Sequence, residues 1–128
     1  MSLRSPLGRV LGSGSANDGT EHWWAQRVTA VALLILGLWF LISLLQLDNF
    51  THATVSAWLG HPFSGVMMLL LCLTIAWHSY LGVQVVLEDY VHGPLIKVVS
   101  LLISRFAHAF LAIAAVLAIL KVSLGGSL

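Results

Sequence analysis

Three long apolar runs separated by short polar stretches dominate the pattern of this chain. They extend over about residues 26–47, 62–87 and 94–122. Each exceeds the roughly 20 residues that an α-helix needs to cross about 30 Å of hydrocarbon. Backbone groups in lipid must form their hydrogen bonds within the segment, so the runs are predicted to be helices. The pattern therefore predicts an all-α membrane protein with three transmembrane helices.

The polar stretches divide the chain. Residues 1–21 are rich in Gly and Ser and contain no apolar segment of the kind a signal peptide has. They are predicted to form a polar N-terminal segment, with the three-helix transmembrane domain over 22–128. In the first loop, residues 54–59 predict a short interfacial turn or helix that carries Trp58. The second loop covers residues 88–93 and ends at a Gly-Pro pair.

Composition supports a membrane protein with little chain outside the bilayer. Hydrophobic residues make up 59% of the 128 residues and charged residues 9%, whereas soluble domains average about 25% charged residues. Mean hydropathy is +0.95. The net charge of +1 and the absence of a basic run give no indication of nucleic-acid binding. Cys72 is the single cysteine, so an intrachain disulfide is excluded and a packing role is expected.

The distribution of Lys and Arg predicts the orientation in the membrane. Arg4 and Arg9 precede the first apolar run, Arg27 lies at its entrance, and the loop after the run has no Lys or Arg. Lys97 lies beside the second loop, and Lys121 alone marks the opposite face. Because positive residues accumulate on the cytoplasmic side, the N-terminus is predicted to be cytoplasmic and the C-terminus periplasmic. The second helix then runs from outside to inside.

Few residues inside the apolar runs can carry chemistry, and His78 is the first of them. Ionisable groups within the membrane are costly, which makes them candidates for function. His78 is either a haem or metal ligand or a neutral histidine hydrogen-bonded to a neighbouring helix. No Cys/His cluster has the spacing of a zinc site. Haem suits a lone histidine better, since the macrocycle supplies four ligands and needs only axial ones.

Other candidates lie on the second and third helices. His108 is expected at roughly the depth of His78. It is therefore geometrically possible that both histidines ligate one haem. The alternative is that His108 is a packed histidine. Arg105 either extends towards the headgroups or pairs with an anionic cofactor group. Asp89 and Tyr90 follow His78 by about three helical turns. Tyrosine is common at membrane interfaces, but a buried histidine on the same helix favours a site.

Two segments resemble a known family. Residues 78–90, HSYLGVQVVLEDY, resemble the H-x-x-x-G-x-x-x-x-x-x-D-Y signature of the succinate dehydrogenase hydrophobic membrane anchor subunit, the smaller anchor of complex II. Residues 19–30, GTEHWWAQRVTA, are similar to the segment that enters the first helix in bacterial members. The resemblance covers about residues 19–122.

The resemblance implies cofactors and roles for individual residues. The anchor would form a larger helical bundle with a second, cytochrome b anchor subunit, and the two would share a haem b. His78 matches an axial ligand of the haem iron, and the partner would supply the other, leaving His108 as a bystander. Arg27 matches an arginine near the haem propionates. Tyr90 matches a tyrosine that hydrogen-bonds ubiquinone, and Asp89 matches an adjacent acid that delivers protons.

The implied function is that of an anchor subunit of succinate:quinone oxidoreductase in the bacterial inner membrane. Iron–sulfur and flavoprotein subunits would complete the complex, which carries electrons from succinate to quinone in the tricarboxylic acid cycle and respiratory chain. The chain itself has no flavin motif and no Cys framework for a cluster. Two alternatives stay open: an anchor of fumarate reductase, and a cofactor-free structural subunit of another respiratory complex.

Overall fold

The computed structural model describes residues 16–125, which form four α-helices joined by short turns. The helices are α1 (Ala16–Leu45), α2 (His52–Gly60), α3 (Pro62–Tyr90) and α4 (Pro94–Ser123). Of these, α1, α3 and α4 are long and apolar enough to cross a membrane. The all-α architecture with three transmembrane helices is confirmed.

Two helices extend beyond the apolar runs that predicted them. α1 begins at Ala16, inside the predicted polar segment of residues 1–21, whose first 15 residues lie outside the described part of the chain. α3 continues past Leu87 to Tyr90. The difference has a simple cause: hydropathy marks where hydrocarbon begins, whereas helical hydrogen bonds continue into the headgroup region, where polar side chains remain solvated.

Prolines and backbone caps define the ends of the later helices. Pro62 and Pro94 occupy the first turns of α3 and α4, where the missing N–H costs no helical hydrogen bond. Val91 ends α3, and its backbone N–H donates to the Leu87 carbonyl oxygen at 3.1 Å. The predicted end of the second loop at Gly93-Pro94 is confirmed, whereas the loop itself begins only after Tyr90.

α3 is the central helix of the fold. α1 and α4 both pack against it, and within residues 16–125 they do not pack against each other. Small residues on α3 permit this packing: Gly82 approaches α1, Ser79 hydrogen-bonds α4, and Gly65 approaches α2. Close approach through small residues is typical of transmembrane helix pairs.

The short helix α2 closes one end of the molecule. Asn49 Oδ1 accepts hydrogen bonds from the hydroxyls of Thr51 (2.9 Å) and Thr54 (2.6 Å), which fixes the turn that starts α2. At the other end of α2, the Ser123 hydroxyl donates to the Leu59 carbonyl oxygen at 3.0 Å. The first loop therefore contains a short helix, which covers His52–Gly60 and is longer than the predicted segment of residues 54–59.

Aromatic side chains hold α1 against this end. Trp39 of α1 stacks on Trp58 of α2, with ring centroids 5.9 Å apart, and meets the edge of Phe63 at 6.1 Å. Phe40 lies 6.4 Å from Trp58. Such pairs contribute about 0.5–1.5 kcal/mol each beyond the area they bury. Trp58 is thus a packing residue between α1 and α2.

The fold has a thin core. Its buried apolar side chains among the described residues are Leu59, Leu71, Leu81 and Ile119. Most other large apolar side chains of α1, α3 and α4 are exposed, because helices arranged in a row have two open faces. In a membrane these faces meet lipid or other helices without the cost that water would impose.

Candidate functional site

His78 is half-buried on the face of α3 that packs against α1. Its Nδ1 lies 2.9 Å from the Thr29 hydroxyl oxygen, and its Nε2 lies 3.4 Å from Nε2 of Gln26. Both partners stand near the start of the apolar run of α1. The histidine is therefore inside the apolar region, but closer to the Tyr90 end of α3 than to the end at Pro62.

These contacts indicate which nitrogen of His78 carries the proton. The Thr29 hydroxyl lies 2.8 Å from the Ala25 carbonyl oxygen and 3.1 Å from that of Gln26, and it donates its single proton to them. It therefore accepts a hydrogen bond from Nδ1–H of His78. In a neutral imidazole the other nitrogen then carries a lone pair, so Nε2 is an acceptor that faces the Gln26 amide.

The same face of α1 holds two buried polar atoms without a partner among residues 16–125. They are Nε2 of His22 and Oε1 of Gln26. His22 and Gln26 are four residues apart, so they stand one above the other on the helix. A Cβ placed on Gly82 would lie 3.7 Å from Nε2 of Gln26, which shows how closely α3 approaches here. The α1–α3 interface is thus polar along its Tyr90 half.

His108 lies in a different environment. Its Nδ1 donates to the Ser104 carbonyl oxygen at 2.7 Å, and its Nε2 accepts from the Ser79 hydroxyl at 3.1 Å. The Tyr80 ring meets the imidazole edge-on, with centroids 5.8 Å apart. Because His78 turns towards α1 and His108 bonds the α4-facing side of α3, the two histidines do not form a common site within this chain.

Arg27 follows Gln26 on α1, near the start of the apolar run of that helix. Its guanidinium carbon lies 5.4 Å from the centroid of the Trp23 ring, and both side chains are exposed. Trp23 in turn stacks on Trp24, with centroids 5.8 Å apart. A cation over an indole face is a favourable arrangement, and it holds the positive charge of Arg27 one residue from Gln26, a contact of His78.

Arg105 lines a groove of about 380 Å³ between α3 and α4. The groove is mainly apolar and opens on the side of α3 away from α1. Its walls include Trp77, Tyr80, His108 and Ala109. Arg105 is exposed at this groove, so the structure separates it from the His78 cluster and groups it with His108.

The end of α3 is polar and open. Tyr90 is 77% exposed, and Glu88 and Asp89 are exposed beside it. Gln84 donates to the Glu88 carboxylate at 2.8 Å, and the Lys97 ammonium donates to the Glu88 backbone carbonyl at 2.7 Å. A phenol and two carboxylates therefore stand together at the surface, with the Tyr90 side chain accessible from outside the chain.

Comparison with known proteins places the chain in a family. The model of the succinate dehydrogenase/fumarate reductase transmembrane subunit family matches residues 1–121. The chain belongs to this family. It is a multi-pass membrane protein and a non-catalytic membrane anchor subunit of the succinate dehydrogenase type, as the sequence pattern had indicated.

Three curated relatives illustrate the similarity. The succinate dehydrogenase hydrophobic membrane anchor subunit of Rickettsia bellii is 34% identical over 90 residues, which are 70% of this chain and 71% of the relative. That of Paracoccus denitrificans is 32% identical over 121 residues, or 94% and 93%. The succinate dehydrogenase membrane anchor subunit of Reclinomonas americana is 30% identical over 91 residues, or 69% and 76%. No solved structure gives a significant match.

Sequence reasoning about the anchor subunit located His78 but missed its surroundings. Thr29 and Gln26, which contact both ring nitrogens, were not among the candidate residues. The available signal was the polar series His22, Gln26 and Thr29, whose spacing places all three on one face of a helix. Which helix that face would meet depended on the packing of α1 against α3.

Proposed function

We propose that this anchor subunit helps to bind a b-type haem and ubiquinone in a succinate:quinone oxidoreductase of the bacterial inner membrane. The observation that carries the proposal is the pair of contacts made by the two ring nitrogens of His78. Its Nδ1 is hydrogen-bonded to Thr29 at 2.9 Å, while its Nε2 presents a lone pair against a long 3.4 Å contact with Gln26. A histidine that donates through one nitrogen and keeps the other available is typical of a metal ligand.

The residues present fit a haem shared with a partner subunit. Nε2 of His78 would be one axial ligand, and the guanidinium of Arg27 would attract a propionate from the boundary of the membrane. The second axial ligand would come from the cytochrome b anchor subunit, since both nitrogens of His108 are engaged by Ser79 and Ser104. When bound, such a haem would supply a one-electron carrier in the low-polarity interior of the membrane.

The end of α3 supports the ubiquinone assignment. The Tyr90 hydroxyl is a hydrogen-bond donor, and its exposure leaves it accessible to a quinone carbonyl. Quinone reduction consumes protons, and the carboxylates of Asp89 and Glu88 stand beside Tyr90 at the surface. Asp89 is assigned to proton delivery, because its carboxylate is exposed and adjoins Tyr90 directly.

The partners follow from geometry and charge. The exposed apolar faces of the helix row suit the helices of the second anchor subunit and the lipid. With the N-terminus in the cytoplasm, Tyr90 lies at the cytoplasmic surface, where an iron–sulfur subunit linked to the flavoprotein would dock. The similarity to proteins named for succinate dehydrogenase favours succinate oxidation over the fumarate reductase alternative.

Difference spectra of the assembled complex test the haem assignment. We expect a reduced-minus-oxidised spectrum with the bands of a low-spin b-type haem. His78→Leu is expected to abolish the low-spin signal, and the matched variant His108→Leu to retain it. Loss of the low-spin signal only in the His108 variant would reverse the assignment. Absence of haem from the intact wild-type complex would support the cofactor-free alternative.

A further inference from the structure

We infer that Thr29 is a positioning residue for His78: its hydroxyl holds the imidazole in the tautomer that leaves Nε2 available to the haem iron. The inference deepens the proposed haem site and rests on it. Thr29 lies on α1 and His78 on α3, so this hydrogen bond also ties the ligand to a second helix. It spans 49 positions of the sequence and measures 2.9 Å.

The geometry of Thr29 makes its hydroxyl an acceptor towards His78. The Ala25 carbonyl oxygen, 2.8 Å away, takes the hydroxyl proton in the hydrogen bond that threonine commonly returns to the preceding turn of its helix. This bond holds the side chain in one rotamer. The remaining lone pairs of Oγ1 point away from the helix, and Nδ1 of His78 meets one of them.

The consequence for the ligand is electronic as well as geometric. A ligating histidine that donates its second N–H is held in orientation and becomes a more basic ligand. A more basic axial ligand stabilises ferric over ferrous iron, and so lowers the reduction potential of the haem. Without the Thr29 hydroxyl, the proton on Nδ1 would lose its partner at this half-buried position, and the ring would be free to turn or to change tautomer.

The contrast with His108 shows why His78, and not His108, would bind the haem iron. Its Nδ1 also donates, to the Ser104 carbonyl oxygen at 2.7 Å, but its Nε2 is occupied by the Ser79 hydroxyl at 3.1 Å. At His78 the group facing Nε2 is the Gln26 amide, at 3.4 Å and with its own oxygen unpartnered within the described chain. The Gln26 amide therefore competes less strongly for Nε2 of His78 than the Ser79 hydroxyl does for Nε2 of His108.

The experiment compares Thr29→Val, Thr29→Ser and Thr74→Val in the assembled complex. Valine has nearly the shape of threonine but no hydroxyl, and serine restores the hydroxyl. Thr74 is the matched control, since its hydroxyl makes the same backbone bond, to the Leu70 carbonyl oxygen at 2.7 Å, on an exposed position of α3. Potentiometric titration gives the haem midpoint potential, and dilution in detergent gives haem retention.

Thr29→Val is expected to raise the midpoint potential and to weaken haem retention by about 10–100-fold, the usual effect of removing the partner of a ligating histidine. Thr29→Ser and Thr74→Val should keep wild-type values. If Thr29→Val does not assemble, Thr29→Ala carries the same expectation. An unchanged potential without the hydroxyl, or an equal shift in Thr74→Val, overturns the inference. A low-spin haem signal retained in His78→Leu would instead overturn the proposed function itself.

Discussion

Two histidines near the middle of adjacent helices have different surroundings, and the difference arises from single hydroxyl groups. Ser79 occupies the second nitrogen of His108, whereas Thr29 occupies only the first nitrogen of His78. The sequence predicted His78 as a candidate ligand and left a bis-histidine site open. It could not choose between them, because the direction of each ring depends on which helix lies opposite.

At the same scale, Tyr90→Phe tests the quinone assignment. The change deletes one hydroxyl from an exposed ring, so the fold should be unaffected. Loss of the hydrogen bond should weaken quinone binding by about 0.5–1.5 kcal/mol, or more if the carbonyl is left unpaired. We expect slower succinate-to-ubiquinone turnover, with unchanged succinate oxidation by a soluble artificial acceptor and an unchanged haem spectrum.

The control for that variant is Tyr80→Phe. Tyr80 is on the same helix, and its ring packs against Trp77 and His108 rather than at the end of α3. Quinone kinetics should be normal in this variant. Normal ubiquinone turnover in Tyr90→Phe as well would reduce Tyr90 to an interfacial aromatic residue.

At the scale of the helices, the junction of α2, α3 and α4 has the closest approach to any described glycine. Gly65 is buried there, and a Cβ at this position would lie 3.2 Å from the Leu59 carbonyl oxygen and 3.4 Å from the Ser123 hydroxyl oxygen. Gly65 is one of the small residues that permit close packing of α3, and only the structure shows that its contact is with the loop helix α2.

Gly65→Leu should therefore destabilise the subunit. Overpacking of a closed site typically costs about 1–3 kcal/mol, and here the nearest atom is backbone, which cannot rotate away. We expect a lower Tm for the detergent-solubilised complex. Gly37→Leu is the matched control, because nothing lies within 4 Å of a Cβ at Gly37. Equal losses of stability in the two variants would contradict the role of the junction.

At the scale of the whole molecule, the three membrane-spanning helices form a row with α3 in the centre. α1 and α4 are separated by it, so His78 and the Arg105 groove open on different interfaces. A row with so few buried side chains gains stability from what surrounds it. This supports a partner with helices of its own, and the orientation of the row then decides which soluble subunit meets Tyr90.

Cysteine labelling tests that orientation. In a Cys72→Ala background, we expect Phe50→Cys to react with an impermeant reagent added outside the cell, and His92→Cys only after the cytoplasmic side is opened. Phe50 is 70% exposed and is preferable to Asn49, whose side chain holds the turn before α2. If Phe50→Cys were labelled only from the cytoplasmic side, the topology would be opposite to the predicted one. Tyr90 would then not lie at the proposed docking surface.

The sequence by itself determined the class of the protein, its three spans and the identity of His78 and Tyr90 as candidates. In hydrocarbon the backbone groups of a segment must hydrogen-bond within that segment. An apolar run long enough to cross the membrane therefore forms an α-helix. Only the tertiary structure decided that His78 turns to Thr29 and Gln26, that His108 is satisfied by Ser79, and that α3 separates α1 from α4. Which side of a helix meets a neighbour depends on the rotation of the helix about its axis and on the helices around it. Apolar runs of nearly uniform hydrophobicity do not encode this information.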